Sequence, residues 1–136
     1  MREILLYGGP DDSLERSVPL ARRLADSFGA RLHVVSAVED AGWTSEMGAE
    51  RLPELHQAFE EEARERLSRS IPPEEQERLG VIIAVRVGAP EREIPRYTEE
   101  HAIDLAVLYL PVGAAAGGGV ARALLDGGRC AVLVLR

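Results

Sequence analysis

The sequence predicts an α/β domain with a single five-stranded, mostly parallel sheet doubly wound by helices, and three observations predict it. Five short runs are apolar and rich in β-branched residues, at 3–7, 31–38, 81–87, 105–110 and 131–136. The stretches between them carry apolar residues at helical spacing. Each intervening stretch is also long enough for the helical crossover that a parallel pairing requires. A length of 136 residues with 46% hydrophobic residues suits one domain spanning 1–136 and can bury a core.

The first strand, Glu3 to Tyr7, ends at Gly8-Gly-Pro. Asp12-Ser-Leu-Glu15 then has the form of a capping box. Leu14, Val18, Ala21, Ala25 and Phe28 repeat on one helical face, Arg16, Arg22, Arg23 and Asp26 lie on the other, and Gly29 closes the helix. Pro19 is the misfit there, and predicts a kink or a late start with Ser17 as cap. After the second strand, Arg31 to Val38, the stretch Glu39 to Arg51 lacks periodicity and holds Trp43, the single tryptophan. Pro53 opens a long amphipathic helix with Leu55, Phe59, Ala63 and Leu67 on one face, which Pro72-Pro73 ends. A short acidic piece leads to the third strand, Val81 to Val87. A helix through Ile94, Tyr97 and His101 follows, interrupted by Pro95. The fourth strand, Leu105 to Leu110, feeds a glycine-rich turn, Gly113 to Gly119. The last helix holds Val120, Ala121, Leu124 and Leu125, and the fifth strand closes the sequence.

Composition excludes several functions. A formal net charge of -7 repels a nucleic-acid backbone. The apolar runs are too short to span a bilayer, and the N-terminal one is strand-length, unlike a secretory signal, so the expected location is cytoplasmic. All 16 basic residues are arginines, so neither a P-loop nor a Schiff-base lysine exists. Neither lysine nor asparagine occurs, a bias that suits a thermophile or a GC-rich genome. The lone Cys130 cannot form an internal disulfide and reads as a small core residue. There is no G-x-G-x-x-G after the first strand and no G-x-S-x-G elbow. His33, His56 and His101 lack metal-ligand spacing, so no metal site is expected. Asp11-Asp12 could hold Mg²⁺ beside a nucleotide, although Asp12 reads more simply as a helix cap. Ligands of such sheets sit beyond the carboxyl ends of the strands, here 7–12, 36–39 and 110–119.

Five segments in order, Ile4-Leu-Leu-Tyr, Ala21 to Val35, Val87-Gly-Ala-Pro-Glu-Arg-Glu-Ile, Asp104-Leu-Ala-Val-Leu and Cys130 to Arg136, resemble the universal stress protein family over essentially the whole chain. The resemblance implies an adenine-nucleotide alpha hydrolase-like, Rossmann-like fold and a homodimer paired through the last strand, Ala131 to Leu135. It also implies an ATP site in one branch of the family, made by an aspartate after the first strand, main-chain groups after the second, and a G-x2-G-x9-G-[S/T] loop after the fourth. The matching positions here are Gly9, with Asp11 displaced into the next turn, then Ala37 and Val38, then Gly113, Gly118 and Gly119. Gly9 replaces the aspartate, Gly119 replaces the hydroxyl residue, and the loop before Gly118 is several residues short. The expected function is therefore a stress-response binding or regulatory module, not an enzyme, with ATP binding weakened or lost and no cofactor. One alternative is an ATP binder with weak ATPase or nucleotide-transfer activity and Mg²⁺. Another is a protein-interaction scaffold using Glu39 to Arg51 and Trp43.

Overall fold

The computed structural model describes residues 1–9, 13–39, 52–111 and 119–136. Among these, β1 (Glu3–Tyr7), β2 (Arg31–Val38), β3 (Ile82–Val87), β4 (Leu105–Tyr109) and β5 (Ala131–Leu135) form one sheet in the order β3-β2-β1-β4-β5. All four pairings are parallel, so the expected mostly parallel sheet is wholly so. Helices α1 (Ser13–Phe28), α2 (Leu52–Arg69), α3 (Pro73–Arg78), α4 (Pro90–Glu100) and α5 (Gly119–Gly127) link the strands.

Because side chains alternate across a strand, β1 feeds two cores. Ile4 and Leu6 join Leu14, Val18 and Ala21 of α1 and Leu67 of α2 on one face. Leu5 meets Ile94 and Tyr97 of α4 and Val120 and Leu124 of α5 on the other. Register between β1 and β4 has a visible anchor. Asp104 Oδ2 accepts hydrogen bonds from the backbone N–H groups of Arg2 (2.8 Å) and Glu3 (2.9 Å), and Ile4 then pairs with Leu105. Those two donors hold the Asp104 carboxyl below its ordinary range.

Four helical expectations change. Helix α1 starts at Ser13 and runs through Pro19, so Ser17 is not its cap; the Ser17 hydroxyl instead donates to the Ser13 carbonyl at 2.8 Å. Pro19 is exposed, which leaves the carbonyl it cannot bond to water. Phe28 keeps the helical phase of the buried face but is 53% exposed, because it ends the helix while β2 begins only at Arg31. The acidic piece after Pro72 is helix α3, too short for periodicity to reveal. The Gln76 side chain on α3 donates to the carbonyls of Ser68 (2.8 Å) and Ile71 (2.9 Å), satisfying acceptors at the end of α2. Helix α4 continues through Pro95, as α1 does through Pro19. Asp12 lies outside the described residues. Cys130 is half-buried ahead of β5, and burial raises its thiol pKa, in keeping with a packing residue.

A polar cluster crosses the amino-terminal edge of the sheet. His33 on β2 is 1% exposed, with Nδ1 2.7 Å from the Tyr97 hydroxyl and Nε2 3.1 Å from Glu3 Oε1. A carboxylate only accepts, so Nε2–H donates to Glu3 and Nδ1 accepts from Tyr97, and the neutral ring is satisfied at both nitrogens. Tyr97 stacks on His101 with ring centroids 4.0 Å apart, and the Arg86 guanidinium lies 5.0 Å from the Tyr97 ring centre. Arg86 in turn pairs with Glu100 at 2.6 Å, and Arg31 with Glu3 at 2.8 Å.

Burial pushes the His33 pKa below its ordinary 6.5, against the opposing pull of Glu3 and with further lowering by His101 and Arg31. As pH falls below 6.5, the unfolded chain takes up this proton more readily than the folded one, so stability declines until the lowered folded pKa is passed. The urea midpoint is therefore expected to drop between pH 7.5 and pH 5.5, and His33→Gln is expected to flatten that drop. A wild-type midpoint unchanged over the interval would contradict this account.

Candidate functional site

Strand order reverses direction at β1. The chain leaves β1 toward β2 on one side, while β4 and β5 lie on the other, so the carboxyl ends of β1 and β4 flank the switch point where ligands of such sheets bind. The chain leaving β1 is held by a set of short contacts. Gly8 N–H donates to the Val35 carbonyl at 2.8 Å, and the buried Ser36 hydroxyl donates to the Gly8 carbonyl at 2.8 Å. Gly9 N–H donates to the Ser13 hydroxyl at 3.1 Å, and the Gly9 carbonyl accepts from Arg66 Nη1 at 2.7 Å. Both backbone polar groups of Gly9 are thus engaged by the protein itself.

Beside this turn lies a cleft of about 670 Å³, within the range of roughly 300–1,000 Å³ typical of small-ligand sites. Its floor is Tyr7 with Ser36 to Glu39. One wall is α2, through Phe59, Glu62, Ala63, Arg66 and Arg69, and the far rim is Pro90 and Glu91 at the start of α4. Phe59 shares a helical face with Ala63 and Leu67 but is 41% exposed; it faces the cleft region instead of the core. Arg66 and Arg69 stand three residues apart in the last turn of α2, hence on one side of the helix.

The structure brings some of the expected site residues together. Ala37 and Val38 line the cleft, and Gly9 joins it through Arg66. The Val38 carbonyl also accepts from Gly88 N–H at 2.9 Å, tying the end of β2 to the exit of β3. Gly119 opens α5 beyond β4 and is not part of the cleft wall. Its φ of 72° lies in the left-handed region, where glycine is favoured over the hydroxyl residue expected from the motif. Asp11, Gly113, Gly118 and Trp43 lie outside the described residues. No group of three or more His, Cys, Asp or Glu able to hold a metal occurs among the described residues. No helix among them is long and apolar enough to cross a membrane.

Sequence reasoning missed the α2 wall. The signal was present, since Arg66 and Arg69 follow Phe59 and Ala63 on one side of the helix. What it lacked was any indication that this helix leans over the end of β1.

With this geometry in hand, the comparisons are decisive for the family. The profile of the universal stress protein family matches residues 1–136. The chain belongs to the universal stress protein family. Among solved structures, the universal stress protein UspA from Lactobacillus plantarum is similar, with a TM-score of 0.78 at 20% identity over 99% of this chain and 97% of that one. A universal stress protein in complex with cAMP matches with a TM-score of 0.65 at 20% identity, covering 99% of this chain and 96% of that one. The universal stress protein from Archaeoglobus fulgidus in complex with dAMP matches with a TM-score of 0.58 at 17% identity, covering 100% of this chain and 98% of that one. At such identities the likeness speaks for the fold. No curated protein matches the chain.

Gly8 couples the site to the core. A Cβ added there would sit 2.7 Å from Leu67 Cδ2 and 3.3 Å from Leu14 Cδ1, and Leu67 is fully buried. Gly8→Ala is expected to lower stability by about 1–3 kcal/mol through overpacking, read from the denaturation midpoint. An unchanged midpoint would show that α2 can retreat from the turn freely.

Proposed function

We propose that this universal stress protein is a cytoplasmic regulatory module that binds an adenine nucleotide in the cleft, with ATP binding weakened and no catalytic role. The observation that carries this reading is the exit of β1. Where the resemblance places an aspartate, Gly9 offers no carboxylate, and its carbonyl is already taken by Arg66. The loop after β4 is several residues short of the family's phosphate motif, and the chain has no lysine to make up the lost contacts. The floor at Ala37 and Val38 needs only main-chain groups, which any residue supplies, so the base-facing part of the site survives these changes. Family relatives solved with cAMP and with dAMP, each carrying a single phosphate, support a nucleotide of that size.

Thermal denaturation tests the reading. AMP at about a hundred times its Kd should add roughly 2.7 kcal/mol and raise Tm by a few degrees. Mg-ATP at the same concentration should raise it less. A larger rise with Mg-ATP would overturn the weakened ATP site, and no rise with either nucleotide would overturn the nucleotide reading.

The same proposal includes a homodimer joined through β5. This strand is an edge of the sheet, Val132 to Leu135 are partly buried apolar residues, and an unpaired strand edge favours pairing with another chain. Sedimentation velocity should give the mass of two chains, and amide exchange over Ala131–Leu135 should slow as protein concentration rises. A single-chain mass across the concentration range would refute the dimer.

A further inference from the structure

We infer that Arg66, with Arg69 beside it, forms an anion seat in the cleft, and that the group it receives is the one phosphate of a nucleoside monophosphate. The inference rests on the nucleotide reading above and assigns the contact that replaces the shortened glycine loop.

Burial is what sets Arg66 apart: among the described residues Arg23, Arg64, Arg92 and Arg129, like Arg69, also lie within ion-pair distance of no carboxylate, but they are exposed. Arg22, Arg31, Arg78, Arg86, Arg96 and Arg122 each lie within ion-pair distance of a carboxylate. Among the described residues, neither Arg66 nor Arg69 has such a partner. Arg66 is nevertheless half-buried, and its contacts are with neutral acceptors, the Gly9 carbonyl at 2.7 Å and the Ser36 hydroxyl at 3.5 Å. A guanidinium has five N–H donors in a planar fork, and withdrawing its charge from water without a counter-charge is unfavourable. An anion in the cleft supplies that counter-charge and can use the remaining donors. Basic residues in the last turn of a helix also complement its dipole, but that role does not require Arg66 to reach over to the exit of β1.

Charge in the cleft favours one phosphate over three. Glu39, Glu62 and Glu91 line the same space as Arg66 and Arg69, so a triphosphate would bring several negative charges toward three carboxylates and only two guanidinium groups. A monophosphate brings less negative charge toward those carboxylates. Tyr7 and Phe59 supply aromatic surface on the same walls, against which a base can stack.

Isothermal titration at low ionic strength with adenosine, AMP and ATP tests the seat in wild type, Arg66→Gln and Arg69→Gln. Wild type should bind AMP about tenfold or more tightly than adenosine, a preference of the size expected for a hydrogen-bonded charge pair, and added salt should shrink that ratio. Arg66→Gln should bring the ratio to about one while leaving adenosine binding in place, and Arg69→Gln should reduce it in part. In Arg66→Gln the shorter amide also gives up the bond to the Gly9 carbonyl. Should that variant melt early without ligand, Arg66→Lys is the control, and it should keep part of the AMP preference as a point charge. Equal binding of AMP and adenosine to wild type, or a full AMP preference in Arg66→Gln, would overturn the seat while the nucleotide reading stands. ATP binding tighter than AMP would overturn the single-phosphate assignment. Failure of wild type to bind adenosine or AMP would instead bring down the nucleotide reading and this inference with it.

Discussion

Everything in this domain is arranged around β1. Ile4, Leu5 and Leu6 are fully buried, and the strand pairs in parallel with β2 on one side and β4 on the other. A strand buried on both faces and paired on both edges has no freedom of register, because a one-residue slip would exchange the two cores. Asp104 reinforces that register from β4 by accepting two backbone donors at the start of β1. The position of Gly8 and Gly9 at the switch point therefore follows from the packing of the whole sheet.

The two ends of the sheet divide the work. At the amino-terminal edge, His33, Tyr97 and Glu3 form a closed polar set in which every ring nitrogen of His33 has a partner. Buried polar groups of this kind are tolerable only when fully satisfied, and they then specify one arrangement of the helices around them. At the carboxyl edge the polar groups are less closed. The Gly9 backbone is satisfied, but Arg66, which satisfies its carbonyl, lies within ion-pair distance of no described carboxylate. Structural polarity is neutralised inside the protein at the amino-terminal edge.

Glycine stands both at the exit of β1 and at the start of α5. With no side chain at Gly9, Arg66 Nη1 meets the backbone carbonyl there at 2.7 Å. Gly119 holds a left-handed backbone conformation that other residues adopt at a cost. The family's fold is kept intact.

The sequence by itself determined the strand and helix order, the parallel sheet and the family. Periodicity and crossover length report on burial and connectivity, which are local and cumulative properties of the chain. It also marked Ala37, Val38 and Gly9 as residues at strand ends. It left open a kink or a late start of α1 around Pro19, because whether a helix survives a proline depends on which side of it meets water. It could not show Phe28 overhanging the sheet, nor α3 capping α2, since each depends on what lies across a gap in space. Only the tertiary structure decided that α2 forms the wall of the cleft and that Arg66 meets Gly9, 57 residues away in sequence. The physical reason is that contacts between distant segments depend on the angle at which a helix settles on a sheet, and that angle follows from the summed packing of side chains with no motif of its own.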